Sequence, residues 1–167
     1  MTIAKTKILS ETQIAQKLKR MAYEIVERNL HEKKIIIAGI SGNGYEVAIR
    51  LNAQVKKVKQ FDTELIEIKL DKVSPTQGEI ELLNPIPLDN MVIVLVDDVL
   101  NTGRTMAYSL KPFLSCKVKK IETAVLVNRS HTTFPIAPTY TGYELSTTLT
   151  DHVEVHLSKG KQVVYLT

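Results

Sequence analysis

The stretch that most limits what this chain can fold into runs from Val92 to Thr105, where Val-Ile-Val-Leu-Val leads into Asp97-Asp98 and then Val-Leu-Asn-Thr-Gly-Arg-Thr. An apolar strand that ends in two acids and a small-residue turn is the layout of a ligand site. The acids can hold a pair of sugar hydroxyls, and Thr102, Gly103, Arg104 and Thr105, opening the next helix, can surround a phosphate with N–H groups and hydroxyls. Two adjacent acids at a strand end repel one another unless a cation or polyol lies against them, so a purely structural role fits them poorly. One loop can therefore grip both ends of a ribose 5-phosphate.

The rest of the chain alternates strand and helix. Ser10 to Gln13 has the form of a capping box, and Ile14, Leu18, Met21, Ala22 and Ile25 follow at helical spacing, which predicts a helix from Glu11 to Asn29. Ile35 to Ile40 reads as a strand, Ser41-Gly42-Asn43-Gly44 as a turn, and Tyr45 to Lys56 as a helix. Phe61 to Leu70 predicts another strand, Asp71 to Gly78 a mobile polar loop, and Glu79 to Leu83 a short returning strand that closes a hairpin. After the signature strand, centred on Met91 to Val96, a helix is expected over Gly103 to Leu114 and a strand over Ile121 to Val127. Pro135, Pro138 and Gly142 then break any periodicity before a last strand at Val163 to Leu166.

This order predicts one α/β domain over residues 1–167, a mainly parallel sheet with helices on both faces and ligands at the carboxyl ends of its strands. Both small-residue turns, Ser41 to Gly44 and Asp97 to Thr105, fall on that edge, which makes two anion sites. A net charge of +4, with 22 basic residues offset by 18 acids, suits an anionic substrate without demanding nucleic acid. Cys116 is the only cysteine, which excludes an internal disulfide. The N-terminus lacks the apolar segment of a signal peptide and no apolar run is long enough to cross a bilayer, so the cytoplasm is expected and a membrane is not.

The strand, acidic pair and Thr-Gly-Arg-Thr turn together resemble the phosphoribosyl pyrophosphate (PRPP) signature of type I phosphoribosyltransferases. The resemblance implies a Rossmann-like sheet with a small hood, and phosphoribosyl transfer from PRPP to a nucleobase. It places the pyrophosphate at Ser41, Gly42, Asn43 and Gly44, and the 5-phosphate in the loop of Asn101, Thr102, Gly103, Arg104 and Thr105. Asp97 and Asp98 would orient the ribose hydroxyls, directly or through metal-bound water, and neither would act as a nucleophile. Magnesium would arrive with PRPP and be held mainly by it, with no firm protein ligand beyond a contribution from Asp97 and Asp98. The loop from Asp71 to Gly78 stands where the family has a catalytic loop that shields the reacting centre from water. Lys69 and Lys72 are the nearest cations for the leaving pyrophosphate, or else ordinary solvated lysines.

Purine-salvage members usually carry an acid just before the Thr-Gly. Asn101 is a neutral amide that cannot serve as a base. A closer similarity is to the pyrimidine-operon attenuators with uracil phosphoribosyltransferase activity, through Ile8-Leu9-Ser10, Ile25 to Asn29, the signature itself, and Leu126 to His131 with Pro135-Ile136. It implies uracil as acceptor, UMP as product, and a base contact from Arg129 and the backbone near Val127. Two departures stand out: Asn43 replaces an arginine in the first turn, and Tyr143 and Leu149 occupy places where basic side chains are expected on an RNA-binding face. Lys17, Lys19, Arg20 and Arg28 on the first helix are either a remnant of that face or a solvated surface. The chain is thus expected to be an enzyme, with a PRPP- or nucleotide-sensing RNA-binding regulator as the alternative, and a homodimer as in its relatives.

Overall fold

The computed structural model describes residues 4–58, 62–74, 76 and 78–167. Strand β1 (Thr6–Leu9) leads into helix α1 (Glu11–Arg28), and β2 (Lys34–Ile40) into α2 (Asn43–Val58). Then follow β3 (Asp62–Lys69), β4 (Glu81–Leu83) and β5 (Val92–Leu100). Short helices α3 (Arg104–Ser109) and α4 (Lys111–Leu114) precede β6 (Lys120–Asn128), β7 (Tyr140–Glu144), β8 (Val153–Ser158) and β9 (Lys161–Leu166).

A six-stranded sheet has the order β4-β3-β2-β5-β6-β7, in which only β4 runs antiparallel. Side chains alternate across it and build two cores. Ile35, Ile37, Val92, Val94 and Val96 face one way, under α1 and α2. Ile36, Ala38, Ile93 and Leu95 face the other, against Met106 of α3 and Phe113 of α4. Such strands, buried on both sides, are why β2 and β5 read as continuous apolar runs. Helix α1 begins as its sequence predicts: Ser10 Oγ accepts the Gln13 N–H, and Gln13 Oε1 accepts the Ser10 N–H at 2.8 Å.

Three expectations are corrected. The signature strand, expected to centre on Met91 to Val96, lies further along the chain, running from Val92 through both acids to Leu100, because β6 keeps pairing with it, Asp97 opposite Val125 and Leu100 opposite Asn128. The helix expected over Gly103 to Leu114 is broken at Leu110, since Pro112 has no N–H to continue the ladder. The tail after Gly142 carries more than one strand. There β8 and β9 form a hairpin whose turn holds Gly160 at φ +83°, and β1 joins β9 to make a separate antiparallel sheet, β1-β9-β8.

The hairpin of β3 and β4 is present, with Glu67 opposite Leu83. Phe61 of the expected strand, and Pro75 and Gln77 of the expected loop, lie outside the described residues. No helix among the described residues is long and apolar enough to cross a membrane.

Candidate active site

Pairing on the two flanks of β5 ends at different points. On the β2 side the last partnered residue is Val96, opposite Gly39, whereas on the β6 side the strand stays paired to its end. The opening this leaves beside Asp97 is filled by the first turn of α2. A Cβ placed on Gly44 would lie 2.6 Å from Asp97 Oδ1 and 3.2 Å from Asp97 Cα, so only glycine lets the turn rest against the acid. The two small-residue turns therefore meet at one carboxylate.

Asp97 is 5% exposed. Its Oδ1 accepts the Asp98 N–H at 2.9 Å and faces Lys72 Nζ at 3.6 Å. Burial, and next the charge of Asp98, hold the Asp97 carboxyl well above the usual carboxylate range, and Lys72 offsets them only in part. Asp98 is half-buried at the rim. A carboxyl in such surroundings gains from any ligand that donates hydrogen bonds to it or brings a cation.

Past the acids, Gly103 takes φ +81° and starts α3. A Cβ there would crowd Ile136 at 3.2 Å, and the positive φ would strain any larger residue. Thr102 Oγ1 accepts the Arg104 N–H at 3.3 Å, and the Thr102 carbonyl accepts the N–H groups of Thr133 and Phe134 at 2.8 and 3.1 Å. The loop is thus braced from behind by residues 133–136. It leaves a cavity of about 40 Å³, lined by Asp97, Asn101, Thr102, Arg104 and Thr105 among others. The first amides of a helix lack partners inside it, so this concavity presents donors to an anion.

The first turn is less open than expected. Ser41 donates its N–H to the Ile68 carbonyl at 2.8 Å and its hydroxyl to Glu67 Oε1 at 2.9 Å, so Ser41 braces the turn against β3. Asn43 donates its side-chain amide to the Val155 carbonyl at 2.8 Å, in β8. Gly42, at φ +88°, and Gly44 remain as the backbone that can approach a pyrophosphate.

Of the two loop lysines, Lys72 reaches the acids, whereas Lys69 is exposed at the end of β3, paired in register with Glu81. Val127 is fully buried in the core, with β5 on one side and β7 on the other. Arg129 is also buried, 7% exposed. Its Nη1 donates to Asn101 Oδ1 at 2.8 Å, its Nε to Thr147 Oγ1 at 3.0 Å, and its Nη2 to the carbonyls of Thr148 and Asp151 at 3.1 and 2.6 Å. One of its five N–H groups is left for anything else. Thr147, Thr148 and Asp151 were silent in the sequence, since polar residues in an aperiodic stretch show nothing of what holds them.

This sheet order, with two glycine turns closing on a buried acid at its carboxyl edge, defines a sugar-phosphate enzyme of the α/β class. The Phosphoribosyl transferase domain family matches residues 5–158, and the chain belongs to it: this protein is a phosphoribosyltransferase. It is similar to the bifunctional protein PyrR of Streptococcus thermophilus (strain CNRZ 1066), 34% identical, over 96% of this chain and 95% of that one. PyrR of Clostridium kluyveri is 32% identical over 93% and 92%. Among solved structures, the hypoxanthine phosphoribosyltransferase of Trypanosoma cruzi superposes with a TM-score of 0.80, covering 96% of this chain and 95% of that one at 11% identity. A hypoxanthine-guanine phosphoribosyltransferase of Bacillus anthracis gives 0.68 at 19% identity, covering 84% and 83%. These two likenesses speak for the fold alone.

Proposed function

We propose that this protein transfers the phosphoribosyl group of PRPP to uracil, giving UMP and pyrophosphate. The observation that carries the reading is Asp97, buried where the pyrophosphate turn and the 5-phosphate loop touch. A ribose held by its 5-phosphate in the Asn101 to Thr105 loop would present its hydroxyls to Asp97 and Asp98. As the bond from the anomeric carbon to pyrophosphate breaks, the sugar gains oxocarbenium character and the leaving oxygens gain negative charge. Asp97 and Asp98 orient the hydroxyls and favour the positive sugar; N–H groups of Gly42 and Gly44, with Lys72, receive the pyrophosphate.

Magnesium fits this donor set as a shared ligand. Asp97 Oδ1 is already engaged, the Asp98 carboxylate stands at the rim, and among the described residues no cluster of three His, Cys, Asp or Glu is placed to enclose a metal. Asp98, with help from Asp97, would hold the cation from one side while substrate oxygens and water fill the rest. When bound, it would neutralise charge on the pyrophosphate.

On the acceptor side, the neutral Asn101 and the similarity to PyrR proteins favour uracil over a purine, with Val127 and Arg129 flanking the base position. A second reading, a nucleotide-sensing regulator that binds RNA, draws on the same relatives. It is weakened by the basic residues of α1. Arg20 pairs with Glu24 and caps the carbonyls of Thr141 and Gly142, Arg28 lies 5.8 Å over the Tyr140 ring, and Lys17 lies 5.7 Å over Tyr143. Side chains held this way are poorer phosphate ligands than free ones. A homodimer is proposed from the relatives alone. Incubation with PRPP, magnesium and a panel of bases, following nucleotide formation, tests the reading. UMP formed from uracil alone supports it; turnover with purines overturns the acceptor, and none with any base favours the regulator.

A further inference from the structure

The donor site is built from two turns, and both are tied to the same distant segment, residues 147–157. At one end, Arg129 joins Asn101 of the phosphate loop to Thr147, Thr148 and Asp151. His131 adds a bond to the Thr147 carbonyl at 2.7 Å, and the Leu145 N–H reaches the Asn128 carbonyl at 2.9 Å. At the other end, Asn43 of the pyrophosphate turn bonds the Val155 carbonyl, and Arg50 of α2 bonds the Leu157 carbonyl. A surface segment needs no buried guanidinium to stay folded, and a buried charge persists only where its bonds are nearly complete. Here that charge lies between the loop that would grip the 5-phosphate and the segment beside it.

A nucleotide whose phosphate sits in that loop has its base one sugar width away. On the reading of the site proposed above, segment 147–151, held against Asn101, borders the base. We infer that Arg129 is a positioning residue for the acceptor: it fixes segment 147–151 relative to the phosphate loop, so that capture of the base depends on the clamp while capture of PRPP does not. PRPP carries no base, and its loop keeps a second brace without the clamp, the N–H groups of Thr133 and Phe134 on the Thr102 carbonyl, so its capture needs only the two turns and the acids. A nucleoside monophosphate needs the loop and the segment together. Lysine at position 129 would keep the charge but lose the fork that serves Asn101 and two carbonyls at once.

The test is calorimetric titration of the whole protein with PRPP and, separately, with UMP, or IMP should the acceptor prove a purine, alongside thermal melts. Arg129→Gln should weaken the nucleoside monophosphate by about tenfold or more while PRPP shifts by less than about threefold, and Arg129→Lys should recover only part of the loss. Thr147→Val removes the hydroxyl that accepts the Arg129 Nε–H and lies 3.1 Å from His131 Nε2, and leaves the guanidinium and its other bonds in place. It should weaken the monophosphate by about threefold with PRPP unchanged, and it decides the matter alone if Arg129→Gln does not fold. Equal losses for both ligands, or an unchanged monophosphate affinity, overturn the clamp and leave the donor site standing. A wild-type protein that binds neither ligand overturns the proposed function, and the clamp with it.

Discussion

Asp97 and Glu122 are buried carboxylates on neighbouring parallel strands, and their surroundings treat charge in opposite ways. Glu122 lies toward the amino ends of the strands, opposite Val94, and Asp97 at the carboxyl ends. Burial works against the Glu122 charge, but Lys120 at 2.8 Å, the Tyr140 hydroxyl at 2.6 Å and the Asn29 amide at 3.0 Å outweigh it and hold its carboxyl below the ordinary value. Burial and the same carboxylate push the Tyr140 phenol up in turn. Asp97 has one backbone N–H, a like-charged neighbour and a lysine 3.6 Å away, and its carboxyl is pushed up. A fold that satisfies a buried charge is using it as structure. One that leaves the charge unbalanced leaves room, on the function proposed above, for a ligand to balance it.

The contrast is open to direct attack. The largest effect is expected from Asp98→Asn, which should lower turnover by about 10²–10³-fold, the scale of losing a preorganised electrostatic contact. Steady-state kinetics with a parallel melt checks it, and near-normal turnover would remove the acidic pair from the reaction. At the other end of the sheet, Glu122→Gln should leave turnover per folded molecule intact but cost about 1–3 kcal/mol of stability in urea unfolding.

That site also sets a pH dependence. Because the folded Glu122 carboxyl sits below its ordinary value of 4.5, its contribution is complete above pH 4.5 and is lost as pH falls toward the depressed folded value. The glutamine variant should lack this part of the acid slope. Asp97→Asn should do the reverse of Glu122→Gln, raising stability by up to about 1 kcal/mol by removing an unfavourable buried charge, while activity falls. Lower stability in that variant would mean that the site is balanced without ligand. The smallest change is expected for Lys72→Met. Its ion pair is long and half-exposed, worth about 0–1 kcal/mol, so unfolding should barely move even where turnover drops.

The comparison also separates what could be read in the chain from what could not. Helix α1 announced itself through Ser10, Gln13 and five apolar residues at helical spacing, and the structure ends it within a residue of the expected Asn29. The acids and the Thr-Gly-Arg-Thr turn stand out because a turn with glycine at positive φ between a strand and a helix needs particular small residues in sequence. The Glu122 network was invisible. Its members come from α1, β6 and β7, and each alone is an ordinary polar or aromatic residue. Asn43 and Arg129 stand out in the sequence for the roles their positions suggest, yet their partners at residues 147–155 carry no signal that points back to them.

By itself, then, the sequence determined the alternation of strands and helices, the apolar faces of the central strands and the acids and small residues that follow the signature strand, because hydrophobic period, capping and turn geometry act over a few residues. Only the tertiary structure decided that β1 would pair with β9, that Gly44 would rest on Asp97, and that one buried arginine would join Asn101 to residues 147–151. These depend on which distant groups the folded chain brings within hydrogen-bonding distance, and on whether a buried charge finds enough partners there. Neither condition is a property of any short stretch of sequence.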